Sequence, residues 1–150
     1  MKEPLRVSGT VKITYHETGE VKEYKNAFLN IGQEHFMNFL KGGFSIDGYK
    51  YIGIGTDDSP TDLAAETLGN ELFRKEISKI EVKDTQLILD TIVEAEEANF
   101  SEPWKELGLY MGGSAGVANS RLLYNRVRIL ENKDIRSAIT ISWIIEVITS

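Results

Sequence analysis

The chain has 150 residues, of which 41% are hydrophobic and 27% are charged, the balance expected of one globular domain. It contains no cysteine, which excludes disulfides, thiol nucleophiles and cysteine-based zinc sites. The formal net charge is −6 and the pI is about 5.0, so the surface as a whole should repel the phosphates of nucleic acid.

The sequence favours protein partners over nucleic acid and membranes. Arg121, Arg126 and Arg128 form the best basic patch, but they alternate with apolar residues, as arginines on a strand or at an interface do. No apolar stretch approaches the ~20 residues of a membrane helix, and the first ten residues lack the apolar run of a signal peptide. We therefore expect a soluble protein made in the cytoplasm, with no nucleic-acid or membrane partner.

The first third of the chain predicts a hairpin followed by a helix. Residues 5–15 alternate between apolar and polar side chains, which is typical of a strand with one wet face. A glycine-containing turn at residues 16–20 leads to a second strand over residues 21–28, paired with the first. Residues 30–41 then change to helical spacing between an asparagine cap and a glycine pair.

The middle of the chain predicts four strands and a second, shorter helix. The helix is expected over residues 60–68, because Ser59 is placed as its cap and Pro60 as its first residue. The strands are predicted at residues 49–55, 72–82, 85–94 and 104–111.

The last part of the chain predicts a hairpin of residues 121–131 and 137–148 around a turn at residues 132–134. In its second strand one face carries five apolar side chains, and the other face is also partly apolar. Such a strand lies inside a sandwich or at an interface. The sequence leaves open whether it is buried within one subunit or between subunits. The five residues are Ile139, Ile141, Trp143, Ile145 and Val147.

About eight short strands with turns between them, and one or two short helices, predict an antiparallel β-sandwich. No linker, repeat or low-complexity segment divides the chain. We therefore expect a mainly β fold in a single domain over residues 1–150.

One pattern that could indicate catalysis does not survive closer comparison with the motif. The stretch G-G-S-A-G at residues 112–116 matches the nucleophile elbow of α/β-hydrolases letter for letter. However, both histidines, His16 and His35, precede Ser114, so the serine, acid and histidine order of that triad is impossible. The sequence favours a flexible loop here and predicts no enzyme.

Cofactor and metal sites are likewise not predicted, although one ion site stays open. Gly53 and Gly55 begin a dinucleotide-binding pattern that lacks its third glycine, so we expect no cofactor. Asp57, Asp58 and Asp62 could offer oxygen ligands to Ca²⁺, but their spacing does not match an EF-hand loop. Acidic residues are also common beside a helix N-terminus, which explains them without an ion.

Aromatic side chains are the more distinctive feature, because aromatics build both cores and protein contacts. Trp143 has the pattern of a core residue, whereas Tyr110 and Tyr124 fit a core or a contact equally well. The candidate interface residues are Trp104, Tyr110, Tyr124, Arg126 and Trp143.

Seven short motifs follow one another along the chain. In this order they resemble small structural proteins of tailed-phage virions, of the tail-fibre-associated, baseplate or capsid-decoration type. The resemblance extends over residues 8–147, and its motifs are structural. They are G-E-V at residues 19–21, N-A-F-L-N-I-G at 26–32, Y-I-G-I-G-T at 51–56, S-P-T-D at 59–62, E-L-F-R at 71–74, K-E-L-G-L-Y at 105–110 and I-T-I-S-W-I-I-E-V at 139–147.

The resemblance implies a non-enzymatic part of the virion that docks onto other virion proteins, as a homotrimer. The polar residues 1–5 fit an arm that reaches a neighbouring subunit, and they fit a disordered terminus equally well. An alternative of a different class is a carbohydrate-binding β-sandwich that recognises a host-surface glycan. That alternative requires Trp104, Tyr110 and Tyr124 to be exposed on one face.

Overall fold

The protein is a sandwich of two antiparallel β-sheets, in a computed structural model that describes residues 5–29, 33, 49–111 and 123–149. Sheet A has the strand order β2-β1-β10-β7-β6, and sheet B has the order β3-β9-β8-β4-β5. The predicted mainly β sandwich is confirmed. The strands are β1 Leu5–Tyr15, β2 Val21–Lys25, β3 Ala27–Phe28, β4 Tyr49–Gly55, β5 Glu71–Glu76, β6 Lys79–Lys83, β7 Gln86–Val93, β8 Trp104–Met111, β9 Leu123–Glu131 and β10 Ile139–Thr149.

The core lies between the sheets, because each central strand turns every second side chain inward. Strand β10 lies between β1 and β7, at the centre of sheet A. Its apolar row is therefore buried within the subunit, which answers the question that the sequence left open. The buried residues of this row are Ile139, Ile141, Trp143 and Ile145. Val147, the fifth residue of the row, is 40% exposed.

The chain first crosses between the sheets at Asn26. Strand β2 pairs with β1 in sheet A, whereas β3 pairs with β9 in sheet B. The Asn26 N–H donates to the carbonyl of Gly9 at 3.0 Å, and a β-carbon on Gly9 would collide with the Asn26 side chain. The predicted hairpin of β1 and β2 is confirmed, but the prediction of one strand over residues 21–28 is wrong.

A second crossing occurs at Ile77 and Ser78, inside the segment predicted as one strand over residues 72–82. Strand β5 pairs with β4 in sheet B, and β6 pairs with β7 in sheet A. The Ile77 N–H donates to the carbonyl of Lys50 at 2.8 Å, and the Ser78 N–H donates to the carbonyl of Asp90 at 2.9 Å. These two hydrogen bonds tie the crossing to one strand of each sheet.

The predicted helix over residues 60–68 is wrong, because this segment forms turns. The carboxylate of Asp62 accepts the N–H of Ala64 at 3.0 Å, which closes a tight turn. Arg126 on β9 donates to the Ser59 carbonyl at 3.0 Å and to the Thr61 hydroxyl at 2.8 Å. These contacts hold the segment against sheet B.

The prediction of a final hairpin is also wrong, because β9 belongs to sheet B and β10 to sheet A. The connection between them is anchored by Lys133, which is 7% exposed. Its ammonium group donates to the carbonyl of Ala95 at 2.9 Å and to Asn99 Oδ1 at 2.8 Å. Burial lowers the pKa of Lys133. The connection therefore crosses the end of the sandwich.

Three predictions fall on residues outside those described: the helix over residues 30–41, the loop at residues 112–116 with Ser114, and the polar arm except Leu5. His35, and Arg121 of the predicted basic patch, also lie outside them. Gln33 is the one described residue of the predicted helix. It has helical geometry, and its N–H donates to the carbonyl of Leu29 at 3.0 Å. Leu5 is the first residue of β1.

Candidate functional site

The five candidate interface residues all lie inside the subunit, where none is more than 5% exposed. Trp104 packs in the main core and donates its ring N–H to the carbonyl of Ala98 at 3.0 Å. Their first role is therefore packing within the chain, and a contribution to an interface stays a prediction. The residues are Trp104, Tyr110, Tyr124, Arg126 and Trp143.

Arg126 forms a buried ion pair with Glu106, on the face of sheet B that points away from the core. Arg126 Nε donates to Glu106 Oε1 at 3.1 Å, and the two residues are 4% and 0% exposed. The same carboxylate accepts the backbone N–H groups of Asp57, Gly69 and Asn70 at 2.8–3.1 Å. The ion pair therefore fixes both ends of the loop at residues 56–70.

Beneath this loop lies a second, smaller apolar cluster. It exists because the loop covers the outer face of β4 and β8, which would otherwise meet water. Its buried members are Leu29, Tyr51, Leu68, Tyr110 and Leu123. Tyr110 lies beneath the guanidinium of Arg74, whose central carbon is 3.7 Å from the ring centroid. Burial, followed by a hydrogen bond with Glu71, raises the pKa of Tyr110.

A second buried carboxylate, Glu131 on β9, joins the two sheets on the core side of sheet B. The hydroxyl of Tyr15 donates to Glu131 Oε1 at 2.5 Å, and the hydroxyl of Tyr24 donates to Oε2. The ammonium group of Lys22 lies 3.4 Å from the same carboxylate. Burial, followed by the hydrogen bond to Glu131, raises the pKa of Tyr15 and raises that of Tyr24 to about 12.

The sequence analysis missed both buried carboxylates, although a signal for Glu131 was present. Glu131 follows Val127 and Ile129 at period two, so it shares their inward face. An acid in such a row predicts a buried partner. Glu106 offered no comparable signal, because its burial depends on a loop that covers the outer face of the sheet.

The aspartates considered for an ion site act as turn residues. Asp57 Oδ1 accepts the N–H and the hydroxyl of Ser59 at 3.2 and 2.7 Å, and these hydrogen bonds lower the pKa of Asp57. Asp58 is exposed, and Asp62 closes the turn already described. Among the residues described by the structure, no group of three His, Asp or Glu residues could hold a metal ion.

An open groove of about 240 Å³ lies on the outer face of sheet A. Two pairs of its polar side chains already contact each other. Lys12 lies 3.6 Å from Glu23, and Gln86 donates to Glu146 at 2.5 Å. The lining residues are Ser8, Thr10, Lys12, Glu23, Gln86, Ile144 and Glu146.

The edge strand β6 is the most exposed regular element described. All five of its residues are exposed. Ile80 and Val82 pair with Leu89 and Leu87, so their side chains point to the core side of sheet A. They are nevertheless 53% and 78% exposed. Strand β6 therefore presents an open sheet edge with an apolar inner face.

Comparison with protein-family models, curated proteins and solved structures found no match to this chain. Over the described ranges, no helix has the length and apolar character needed to cross a membrane.

Proposed function

We propose that this chain is a non-enzymatic structural component of a tailed-phage particle, either a tail-fibre or baseplate adaptor or a capsid decoration protein. It acts by binding other protein subunits. The order of the motifs over residues 8–147 supports the particle assignment. The observation that carries the assembly role is the open edge at β6, with Ile80 and Val82 exposed on its core side.

An open edge supports assembly for two physical reasons. Within the described part of the chain, its backbone has N–H and C=O groups that face no neighbouring strand, so another chain can add to the sheet there. The apolar side chains on its inner face would also be removed from water by such an addition. Both effects favour a neighbouring protein over a small ligand.

The rest of the sandwich is suited to a rigid assembly part. The Glu106–Arg126 pair holds the loop at residues 56–70, and Glu131 links β9 to Tyr15 and Tyr24 of the other sheet. A surface carried on such a frame loses little conformational freedom when it binds.

The glycan-binding alternative loses the feature on which it depended. Trp104, Tyr110 and Tyr124 are buried, so they do not form an exposed aromatic platform. The groove on sheet A is lined by Ile144 and polar side chains, several of which are already paired. The homotrimer implied by the resemblance stays a prediction.

The particle assignment is tested by mass spectrometry of particles produced by an organism that carries this gene. The particles are purified by density-gradient centrifugation, and peptides of this chain are quantified against those of the major capsid protein. We expect a fixed ratio that persists through a second gradient. A host cytoplasmic protein serves as the measure of carry-over. If this chain is depleted in parallel with the host protein, the proposal is wrong.

A further inference from the structure

The two edge strands of sheet A, β2 and β6, differ in the charge of their core-side residues. On β2, Lys22 lies opposite Ile13 on the core side, and its ammonium group lies 3.4 Å from Glu131. A charged side chain that points inward at an edge discourages the addition of another strand. On β6 both core-side residues, Ile80 and Val82, are apolar. Strand β6 therefore lacks the inward charge of β2.

The edges of sheet B are also less suited to strand addition. Strand β3 has only two residues. Strand β5 has a register shift against β4 between Ile54 and Gly55, and its Lys75 pairs with Glu97 at 2.5 Å. Short edges, irregular pairing and charges are all devices that block addition. Among the described strands, β6 is thus the regular edge that remains open.

The charges on β6 indicate which partner fits. Its outer face reads Lys79, Glu81, Lys83, and Lys79 already lies 3.4 Å from Glu81 within the chain. An antiparallel second copy centred on Ile80 places each Lys79 opposite Glu81 of the other copy. Opposite charges on facing strands stabilise a sheet. The strand is therefore complementary to itself in this register.

Two other registers fit less well. Centring the pair on Glu81 places Glu81 opposite itself and Lys79 opposite Lys83, which sets like charges against each other. Centring it on Val82 pairs Glu81 with Lys83 but brings Ile80 opposite Asp84, which lies in a turn with φ of 54°. The two registers pair equally many β6 residues, but centring on Ile80 brings Val82 opposite the uncharged Ser78, whose N–H still donates to the carbonyl of Asp90 on β7.

We propose that two copies of this chain associate through antiparallel pairing of their β6 strands, centred on Ile80. The contact joins the two copies of sheet A into one ten-stranded sheet around a twofold axis. The inference rests on the proposed assembly role and names its contact surface. It is tested on the purified protein alone. A negative result would therefore contradict the β6 contact but not the particle assignment, which is tested separately by mass spectrometry of particles.

The experiment measures mass by light scattering after size exclusion across a concentration series. The parent should form dimers as concentration rises, whereas a trimer, the state that the resemblance implies, would contradict this twofold contact. Lys79→Glu and Glu81→Lys should each weaken the dimer about tenfold or more, because each replaces two opposite-charge pairs with like charges. An equal mixture of the two variants should recover dimers. At positions 79 and 81 one variant then has glutamates and the other has lysines, so every facing pair has opposite charges.

Further variants separate the register and the apolar contribution. Lys83→Glu should leave dimerisation unchanged, whereas it would strengthen a pair centred on Glu81 and weaken one centred on Val82. Val82→Lys should abolish the dimer by adding the inward charge that β2 has. Val21→Lys is the matched control, since Val21 is an exposed residue of the other edge strand. Circular dichroism confirms that each variant is folded.

A parent that stays monomeric at every concentration overturns the inference. So does a multimer that Val82→Lys and Lys79→Glu leave intact, because its contact then lies elsewhere. A mixture of the two charge variants that fails to recover dimers excludes the register centred on Ile80.

Discussion

Glu106 and Arg126 form an ion pair that is covered by a loop and lies outside the main core. Arg126 Nε is 3.1 Å from Glu106 Oε1, and both side chains are removed from water. Three backbone N–H groups complete the surroundings of the carboxylate. A buried charge with this many hydrogen bonds is tolerated as long as every partner stays in place.

Removing the guanidinium should therefore be costly. We expect Arg126→Met to lower the free energy of unfolding by about 3–5 kcal/mol, because it leaves Glu106 buried without its cation. Urea unfolding measures the change. Arg128→Met is the matched control, since Arg128 is an exposed arginine on the same strand. Equal losses in both variants would contradict a special role for the buried pair.

The close approach of the loop to β4 gives a second prediction. A β-carbon on Gly55 would collide with the Asn70 carbonyl and with the Glu106 carboxylate. Gly55→Ala should cost about 1–3 kcal/mol and speed hydrogen exchange at the amides of Gly69 and Asn70. Gly19→Asn is the control, because Gly19 has φ of 74° and open space around it. Unchanged exchange at the two amides would show that Gly55 does not hold the loop.

The tyrosines around Glu131 predict a loss of stability at alkaline pH. Their folded pKa values lie above the ordinary value of 10, and that of Tyr24 is about 12. The folded state therefore keeps protons that the unfolded chain releases, and this contribution is intact below pH 10. It is lost as pH rises from 10 towards 12. The double variant Tyr15→Phe/Tyr24→Phe should show a shallower decline in unfolding free energy over that range. The same slope in parent and variant would contradict this assignment.

A buried hydroxyl offers a stabilising substitution. Thr91 Oγ1 is buried and has no hydrogen-bond partner in the described part of the chain, and its neighbours on the same face are Leu89 and Val93. Thr91→Val should raise the free energy of unfolding by about 1 kcal/mol, because an unpaired polar atom is replaced by a methyl group. Thr140→Val is the control, since Thr140 Oγ1 lies 2.6 Å from His16 Nε2. A loss of stability in Thr91→Val would mean that the hydroxyl is paired.

Local sequence patterns located single strands well. The bounds predicted for β1, β4 and β8 match those of the structure, because period-two alternation and flanking turn residues are properties of the strand itself. The pattern also placed Trp143 in the core, as the structure confirms.

Local sequence patterns could not assign the strands to the two sheets, because that assignment depends on how distant segments of the chain pack together. One local sign of the second crossing existed: the apolar spacing slips from Ile77 to Ile80, an odd step that breaks period two. The sequence has helix signals at Ser59 and Pro60, but in the structure this segment is held against sheet B by Arg126, more than 60 residues further along the chain. A local capping pattern carries no information about a hydrogen-bond donor that far along the chain.

The pairing of β1 with β10 has a consequence for synthesis. Leu5 lies opposite Thr149, and the two strands stay in register over eleven residue pairs. During translation the β1–β2 hairpin must wait, with one long edge unpaired, until β10 has emerged. The β6–β7 hairpin waits in the same way for the same strand. Both exposed edges can pair with strands of other nascent chains. The yield of native protein should therefore depend on how quickly β10 is synthesised and docks between them.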